Sequence, residues 1–257
     1  MSNTRLNLVT TPYAEDENSH NTMHNIGTGK SIKNFDENYQ YIKKGFLFNF
    51  FSILVSLIAM VVLIPVGFFT YGLRVKGRKN FKKVKGGSVI CCNHNILLDC
   101  ALVGPIITRL KAPYYLSSPI AFNIPIVKHM VRLLRAVPVP ANLRAMGVMQ
   151  NQIVDALKNG KSIVIFPEGS NWAYYYKLRN FKKGAFTLAV KAQVPVVPIT
   201  FSYRSPNWFY RMFGRKKPLV TIVVHPAITS ANKTAEQLKQ ETYFAINSYF
   251  PQNYLDS

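Results

Sequence analysis

His94 and Asp99 are the two residues whose types and spacing most directly predict chemistry. A carboxylate that binds one nitrogen of an imidazole fixes its tautomer and leaves the other nitrogen free to take a proton from a hydroxyl group. Side chains five positions apart point away from each other on one straight helix, so the two can meet only where the chain bends. A strand ending near Asn93 and a helix starting after it would supply that bend. The pair therefore predicts a general base, with a capping aspartate and an unrelated histidine as the simpler alternative.

A second candidate site is the Pro-Glu-Gly-Ser sequence at 167–170. Only three acidic residues occur between residues 43 and 235, and Asp99 and Glu168 are the two that closely follow predicted strands. An uncompensated buried carboxylate is costly, so each of them needs a partner. Proline fixes the entry to this turn and glycine permits a close backbone approach. We therefore expect Glu168, Gly169 and Ser170 to bind substrate.

Lys182 and Lys183 lie where the next predicted helix begins. Two ammonium groups and the free N–H groups of a helix start can hold an anion together. We expect both lysines to contribute to the substrate site, and a plain solvated surface is the alternative.

Short apolar runs alternate with amphipathic runs from about residue 86 onward. This alternation predicts an α/β fold with a mixed or largely parallel sheet flanked by helices. In such sheets reactive groups collect beyond the carboxyl ends of the strands, where both candidate sites fall. Strands are predicted at 88–92, 114–118, 136–139, 162–166, 195–203 and 219–225, and helices at 95–109, 120–135, 142–159, 182–193 and 233–250.

A run of 29 uncharged residues between Lys44 and Arg74 predicts a membrane segment. As a helix it would measure about 43 Å, against roughly 30 Å for the hydrocarbon core of a bilayer. Basic residues flank both ends and Pro65 and Gly67 interrupt the second half, so a re-entrant hairpin and a single span both fit. Either arrangement leaves the catalytic domain on the cytoplasmic face of an anionic membrane. The predicted organisation is a disordered polar tail at 1–42, a membrane-embedded segment at 43–73 and a catalytic domain at 74–257.

Two further segments are predicted to contact the membrane. The helix at 120–135 carries Lys128, Arg132 and Arg135 on one stripe, which suits an interfacial basic helix, with an ordinary amphipathic core helix as the alternative. The stretch 208–217 mixes aromatic and basic side chains and is predicted to anchor at the level of the lipid headgroups or to form a solvated loop.

The net charge of +21 favours a phosphate-bearing partner, such as a nucleic acid, a lipid headgroup or a charged small substrate. A disordered polycation is excluded because 48% of the residues are hydrophobic. Cys91, Cys92 and Cys100 lack the CxxC spacing of zinc sites, so no metal site and no disulfide framework are predicted. A non-enzymatic basic protein is the rival interpretation. It does not account for the acids beside His94 and Pro167, so no nucleic-acid partner is expected.

Four ordered blocks of the sequence resemble the glycerolipid acyltransferases, which include lysophosphatidic acid acyltransferase. The resemblance covers roughly residues 74–225. It implies transfer of a fatty acyl group from a thioester of CoA or acyl carrier protein to the hydroxyl of a lysolipid, most directly 1-acyl-sn-glycerol-3-phosphate, giving phosphatidic acid without another cofactor. It also implies His94 as the base, Asp99 as its orienting partner, and Glu168 with Gly169 in the acceptor site. The blocks are His94-x4-Asp99, 166–170, 181–186 and 194–198.

The sequence departs from that family where the acceptor's phosphate would be held. Ser170 and Asn171 stand where the family has Thr and Arg, and Arg144 is offset from the position of a second family arginine. Asparagine cannot replace the charge and the two-pronged grip of a guanidinium group on phosphate. Another lysolipid, a glycolipid or an aminolipid therefore stays open as the acceptor, and hydrolysis of the thioester is a third possibility.

Overall fold

The described part of the chain, residues 8–9, 35–96, 98–108 and 112–250 of a computed structural model, contains one seven-stranded sheet with helices on both faces. The strands are β1 (Arg74–Lys76), β2 (Ser88–Cys92), β3 (Tyr114–Ser117), β4 (Ala136–Pro138), β5 (Ser162–Ile165), β6 (Val196–Arg204) and β7 (Leu219–Val224). The helices are α1 (Phe46–Tyr71), α2 (Arg78–Lys82), α3 (Asp99–Val103, continued by a π-helical turn at Gly104–Thr108), α4 (Pro125–Leu133, preceded by a 3-10 turn at Pro119–Phe122), α5 (Leu143–Lys158), α6 (Gly184–Ala192), α7 (Trp208–Met212) and α8 (Ala235–Asn247).

The strand order is β1-β7-β6-β2-β5-β3-β4. The strands from β6 to β4 are parallel to one another, β7 is antiparallel to β6, and β1 is parallel to β7. The predicted mixed, largely parallel sheet is confirmed. Sheets of this kind are covered on both faces, which is why their strands are continuous apolar runs rather than alternating ones.

Alternate residues of β2 belong to different cores. Val89 and Cys91 pack beneath α5, α6 and α8, whereas Ile90 and Cys92 pack beneath α2 and α3. All four are completely buried. The period of two along the strand thus divides one apolar run between two helical layers.

The carboxyl ends of β2 and β5 lie side by side, at the end of the sheet where the parallel strands finish. The two strands are parallel neighbours, with Cys91 beside Ile165 in register. The chain therefore leaves both strands side by side, and the two candidate turns, which carry His94 and Glu168, become neighbours although 74 residues separate them. We call this border of the sheet, formed by the carboxyl ends of the parallel strands, the catalytic edge.

The prediction of a disordered tail through residue 42 was wrong for its last residues. Phe35, Tyr41 and Ile42 are buried in the core beneath α5, where Phe35 packs edge-on against Phe122. These residues are buried because their side chains are aromatic or aliphatic. The mostly polar composition of the whole tail concealed this difference. The remainder of the tail lies outside the described residues, except for a short pairing of Val9 with Tyr175.

Two predicted helices differ from the observed ones. The helix predicted at 95–109 begins only at Asp99, because residues 94–96 and Leu98 belong to the turn that holds the catalytic candidates. The helix predicted at 120–135 is divided at Asn123 and Ile124. The reason is Pro125, because a proline fits the first turn of a helix but not its interior. Two residues of the predicted basic stripe face the protein: Arg132 donates hydrogen bonds to the carbonyls of Gln40 and Tyr41, and Arg135 is buried. Lys128, the third, is exposed.

The uncharged segment forms one continuous helix, α1, of 26 residues that contains Pro65. It is the one helix in the described ranges that is long and apolar enough to cross a membrane. Only Ser52, Gly67 and Tyr71 are buried, while most of its large apolar side chains are exposed. Such an exposed apolar surface is typical of contact with lipid or another protein.

Candidate active site

The bend after β2 brings His94 and Asp99 together. The Nδ1 atom of His94 lies 2.8 Å from Oδ2 of Asp99. Backbone N–H groups of Asn95 and Ile96 donate to the same oxygen, and the N–H of Cys100 donates to Oδ1 at 2.7 Å. The aspartate is fully buried, whereas 16% of the histidine side chain is exposed. The carboxylate is thus fixed by three backbone donors and can orient an imidazole whose Nε2 is the nitrogen left for a substrate.

Two asparagines hold the histidine turn against β6. The side chain of Asn93 accepts from the N–H of Phe201 at 2.7 Å and donates to its carbonyl at 3.0 Å, as a backbone neighbour would. Asn95 donates to the same carbonyl at 3.0 Å. The chain can therefore leave the sheet after β2 while the polar groups of β6 stay bonded. This role was not predicted from the sequence, although an asparagine stands on each side of His94.

Glu168 connects the histidine turn with the loop that precedes α6. Its Oε1 accepts from the N–H of His94 at 2.8 Å, and its Oε2 accepts from Nε of Arg179 at 3.0 Å. Burial raises the pKa of Glu168 to about 7, while Arg179 and the N–H of His94 act in the opposite direction. The carboxylate lies beside the backbone of the base, and both of its oxygens are bonded to the protein.

Arg179 is the site residue that the sequence analysis missed. Besides Glu168, its guanidinium donates to the Oγ and to the carbonyl oxygen of Ser170, and it stacks over Trp172 with 4.4 Å between its carbon and the ring centre. It thereby fixes the Glu-Gly-Ser turn through hydrogen bonds to its first and last residues. The signal was the scarcity of acids: a buried glutamate requires a cation, and Arg179 lies 11 residues further along the chain.

Asn171 occupies the position that is arginine in the family that the sequence resembles. Its amide nitrogen lies 3.0 Å from Nδ1 of His94 and donates to the carbonyl of Ile96 at 2.7 Å. When Nδ1 carries the proton that it donates to Asp99, it cannot also accept one from Asn171. The bond of Asn171 is then the one to Ile96, which ties the glutamate loop to the histidine turn. The ring of His94 packs on Phe166, with the ring centres 4.4 Å apart.

The remaining predicted substrate residues lie at different distances from the dyad. Gly169 has φ of +85°, and a Cβ there would come within 2.8 Å of Nζ of Lys182, so this ammonium group lies across the turn. Lys183 is exposed at the start of α6. Arg144 is exposed near the start of α5, after the edge strand β4, which lies three strand spacings or about 14 Å from β2. The structure therefore brings Lys182 to the turn but leaves Arg144 away from it.

The described residues contain no group of three or more His, Cys, Asp or Glu side chains that could hold a metal ion. Cys91 and Cys92 are buried, and burial raises the pKa of both thiols. Burial likewise raises the pKa of Cys100 to about 12, an effect that the adjacent Asp99 reinforces. Since the thiolate is the reactive form of cysteine, these side chains are poor nucleophiles near neutral pH.

Known proteins resemble the chain in sequence. A 1-acyl-sn-glycerol-3-phosphate acyltransferase of Chlamydomonas reinhardtii is 32% identical over 184 residues, which cover 70% of this chain and 54% of that protein. The protein of the same name from Borreliella burgdorferi is 27% identical over 179 residues, 68% of this chain and 69% of that one. A chloroplast 1-acyl-sn-glycerol-3-phosphate acyltransferase of Arabidopsis thaliana is 31% identical over 131 residues, 51% of this chain and 36% of that one. The chain spans about half or less of the length of the plant and algal relatives.

The fold also matches a solved structure. The crystal structure of the 1-acyl-sn-glycerophosphate acyltransferase PlsC from Thermotoga maritima superposes with a TM-score of 0.51 at 19% identity, covering 79% of this chain and 94% of that one. At this identity the match concerns the fold alone. The sequence model of the acyltransferase family matches residues 72–202. Because that match spans half of the chain and includes both the His94 turn and the Glu168 turn, the chain belongs to the acyltransferase family.

Proposed function

We propose that this protein transfers a fatty acyl group from an acyl thioester to the free hydroxyl of 1-acyl-sn-glycerol-3-phosphate, giving phosphatidic acid. The observation that carries the proposal is the His94–Asp99 pair, 2.8 Å apart at the catalytic edge within the region that matches the family. Further support comes from the names of the relatives, several of which are 1-acyl-sn-glycerol-3-phosphate acyltransferases.

The proposed reaction needs one base and no covalent enzyme intermediate. Nε2 of His94 takes the proton of the acceptor hydroxyl as its oxygen forms a bond to the thioester carbonyl carbon. The tetrahedral intermediate then breaks its carbon–sulfur bond, and the departing thiolate receives the proton from the imidazolium. Asp99 stabilises the imidazolium between these steps. A thioester is already reactive, so a positioned base that contributes on the order of 10²- to 10⁴-fold is sufficient help. The thioester of CoA or of acyl carrier protein is the co-substrate, and no further cofactor is required.

We assign the acceptor's phosphate to the ammonium groups beside the Glu-Gly-Ser turn. Lys182 lies across Gly169 and is exposed, and Lys183 follows it at the start of α6. Arg179 is a weaker candidate for this role, because its guanidinium is buried and bonded to Glu168 and Ser170. Lysine binds phosphate as a point charge and does not form the pair of parallel hydrogen bonds that a guanidinium group forms. Its binding of phosphate is therefore less specific than that of arginine.

The position of Asn171 specifically favours a second candidate, an acceptor without a phosphate monoester. The guanidinium of the family's loop is absent there, and the asparagine amide is turned to the carbonyl of Ile96. Lysophospholipids with a phosphodiester headgroup, or glycolipid and aminolipid hydroxyl groups, would then be acylated in place of lysophosphatidate.

We further propose that α1 embeds the protein in one leaflet of a membrane. Arg135, just before β4, donates to Ser52 at 2.8 Å, and Tyr210, on α7, donates to the carbonyl of Phe68 at 3.0 Å. These tethers are 16 residues apart, or about 24 Å along a helix. Because both ends of α1 bind the same folded domain, the helix lies along the domain and presents its apolar side outward. An arrangement within one leaflet suits this geometry better than a helix that crosses a core of roughly 30 Å. The excess of basic residues supports a cytoplasmic location of the domain, by the charge rule for membrane proteins.

The test is acyl transfer by the purified full-length protein with labelled oleoyl-CoA. We expect phosphatidic acid from lysophosphatidate, and loss of turnover in His94→Ala by at least 10²-fold. His129→Ala is the matched control, since His129 is a second histidine, exposed on α4. Undiminished transfer by His94→Ala would contradict the assignment. Equal or faster turnover of a phosphodiester lysolipid would favour the second candidate, and release of free fatty acid without any acceptor would favour a hydrolase.

A further inference from the structure

The connection between β6 and β7 carries an apolar surface that the proposed chemistry does not use. Helix α7 and the residue after it present Trp208, Phe209, Met212 and Phe213 to solvent, with between 43% and 74% of each residue exposed. We call these four residues the α7 patch. Burying such side chains in an apolar phase releases about 1.5–3 kcal/mol each, so leaving four together in water is unfavourable.

The α7 patch is fixed to the end of α1 by hydrogen bonds. The hydroxyl of Tyr210 donates to the carbonyl of Phe68 at 3.0 Å, and the guanidinium of Arg215 donates to the carbonyl of Thr70. A Cβ at Gly72 would lie 3.0 Å from the Tyr210 ring, so the two segments are in close contact. Phe68 and Phe69, at this end of α1, are themselves exposed. The patch therefore lies beside the end of α1, which carries exposed aromatic side chains of its own.

The same connection is strongly basic. Residues 204–217 contain five Lys or Arg residues and no acid. The side chains of Arg211, Lys216 and Lys217 are exposed. Aromatic side chains favour the interface between hydrocarbon and headgroups, and lysine and arginine favour the anionic headgroups above it. An adjacent protein would require a matching acidic surface, whereas an anionic leaflet satisfies both properties at once.

The α7 patch lies at the catalytic edge, because it follows β6 where that strand passes the histidine turn. Tyr203, near the end of β6, donates its hydroxyl to the carbonyl of Asn95 at 3.0 Å. Nζ of Lys217 lies 5.4 Å from the ring centre of Tyr174, whose N–H donates to the same carbonyl. A surface that holds α7 at the membrane therefore also holds the turn of His94 near the membrane.

We propose that the α7 patch inserts into the same anionic lipid leaflet as α1 and sets the height of the catalytic edge at the headgroups. The proposal rests on the membrane association of α1 proposed above. It adds a second point of insertion, at the end of the helix nearest the dyad. Because the patch lies beside both this end of α1 and the histidine turn, its insertion would fix the distance of the catalytic edge from the headgroups.

The first experiment measures the depth of Trp208 in vesicles of phosphatidylglycerol and phosphatidylcholine. The chain has two tryptophans, and the other, Trp172, is buried. We expect bound full-length protein to show a blue-shifted emission that lipids brominated near the headgroup quench, and we expect this quenching to disappear in Trp208→Phe. Protein that co-sediments with vesicles while Trp208 stays unquenched would overturn the inference and leave the role of α1 intact. Failure of the wild-type protein to co-sediment would overturn both.

The second experiment compares two matched substitutions. Phe213→Glu places a charge in the α7 patch, and Phe244→Glu places one on α8, in the opposite helical layer; the two residues are 71% and 69% exposed. We expect Phe213→Glu to weaken partition into anionic vesicles roughly tenfold, and Phe244→Glu to leave it unchanged. Equal partition of the two variants would contradict insertion of the patch.

Discussion

The carboxyl group of Glu168 is the point at which the two loops of the site are joined. One oxygen accepts from the backbone of the base and the other from Arg179. In this position Glu168 is buried, and its hydrogen bonds support the shape of the site. We therefore regard Glu168 and Arg179 as positioning residues for His94, while Lys182 remains the residue that we propose to contact the acceptor.

Glu168 gives the stability a specific pH dependence. Its pKa rises from 4.5 to about 7 on folding because of burial. The favourable contribution of the protonated group is complete below pH 4.5 and is lost as the pH rises through about 7. We expect the unfolding free energy of the wild type, relative to Glu168→Gln, to fall across this window. Denaturant unfolding in detergent at several pH values measures it, and a difference that does not change with pH would contradict the buried position.

Replacing Arg179 tests the positioning role. Arg179→Ala leaves a buried carboxylate without its partner, which costs about 3–5 kcal/mol, so Arg179→Lys is the informative variant. Lysine keeps the charge but cannot bind Glu168 and Ser170 together. We expect Arg179→Lys to lower kcat about 10²-fold, as a displacement of roughly 1 Å does, with little change in KM for acyl-CoA. A rise in KM at constant kcat would mean instead that Arg179 binds substrate. Arg144→Ala, at an exposed position, is the control for stability only.

Gly169 is the one glycine of the site at which the backbone excludes other residues. Its φ is +85°, and a Cβ would meet Lys182 at 2.8 Å. We expect Gly169→Ala to lose about 1–3 kcal/mol of unfolding free energy. Gly147→Ala is the matched control, because Gly147 lies in α5 with no atom near a Cβ, and should gain about 0.4–1 kcal/mol. Chemical denaturation distinguishes them, and equal effects would contradict the requirement for glycine.

At the residue scale the sequence predicted pairs that are close along the chain. His94 and Asp99 lie within one turn, so their spacing carried the information. Arg179 and Asn93 could not be assigned in this way, because the partner of each is chosen by how two loops or two strands come together. Arg144 follows β4, which the strand order places at the edge of the sheet, so its role in substrate binding stays a prediction.

At the element scale Arg135 anchors α1 to the sheet. Arg135 is buried and adopts φ of +64°, and its guanidinium donates to Ser52 and to the side chain of Asn49 at 3.0 Å. A polar cluster on an otherwise apolar helix fixes which side of α1 faces the protein. The helix therefore has a defined orientation and does not simply associate through its apolar side.

Removing the hydroxyl group of Ser52 tests this anchor. Ser52→Ala leaves the buried Nε of Arg135 unpaired, which costs about 1–3 kcal/mol. We expect faster proteolysis or hydrogen exchange at the start of α1 in detergent. Ser56→Ala, one turn further along and only partly buried, is the control and should change neither rate. Equal protection of the two variants would contradict a role for Ser52 in holding the helix.

Elements with long apolar runs were predictable, and short ones were not. The central strands and α5 were predicted within two residues of their observed ends, since burial on both faces or on one stripe leaves a clear pattern. β1 has three exposed residues, two of them basic, and exists because its backbone pairs with β7. Such pairing leaves no signal in side-chain types. The short helix α7 was considered only as an anchoring stretch or a loop, because five residues are too few to show a helical period.

At the scale of the whole molecule, charge and apolar surface lie together. Residues 1–42 carry a net charge of −2, which leaves +23 on the remaining chain that contains α1 and the catalytic edge. A basic protein surface is attracted to anionic lipid, and this attraction would keep the exposed apolar helix at the membrane. Acceptor and product of the proposed reaction are lipids, so a catalytic edge at the headgroups would let both exchange with the leaflet directly.

Turnover of the Asp99→Asn variant shows whether a carboxylate orients the imidazole that acts as the base in acyl transfer. Asparagine preserves the size of the side chain but removes the charge that stabilises the imidazolium. We expect a folded protein, with an unchanged circular dichroism spectrum, whose kcat for transfer from oleoyl-CoA to lysophosphatidate is lower by roughly 10²- to 10⁴-fold. A folded Asp99→Asn variant that transfers acyl groups at the wild-type rate would contradict the role of Asp99 in orienting His94.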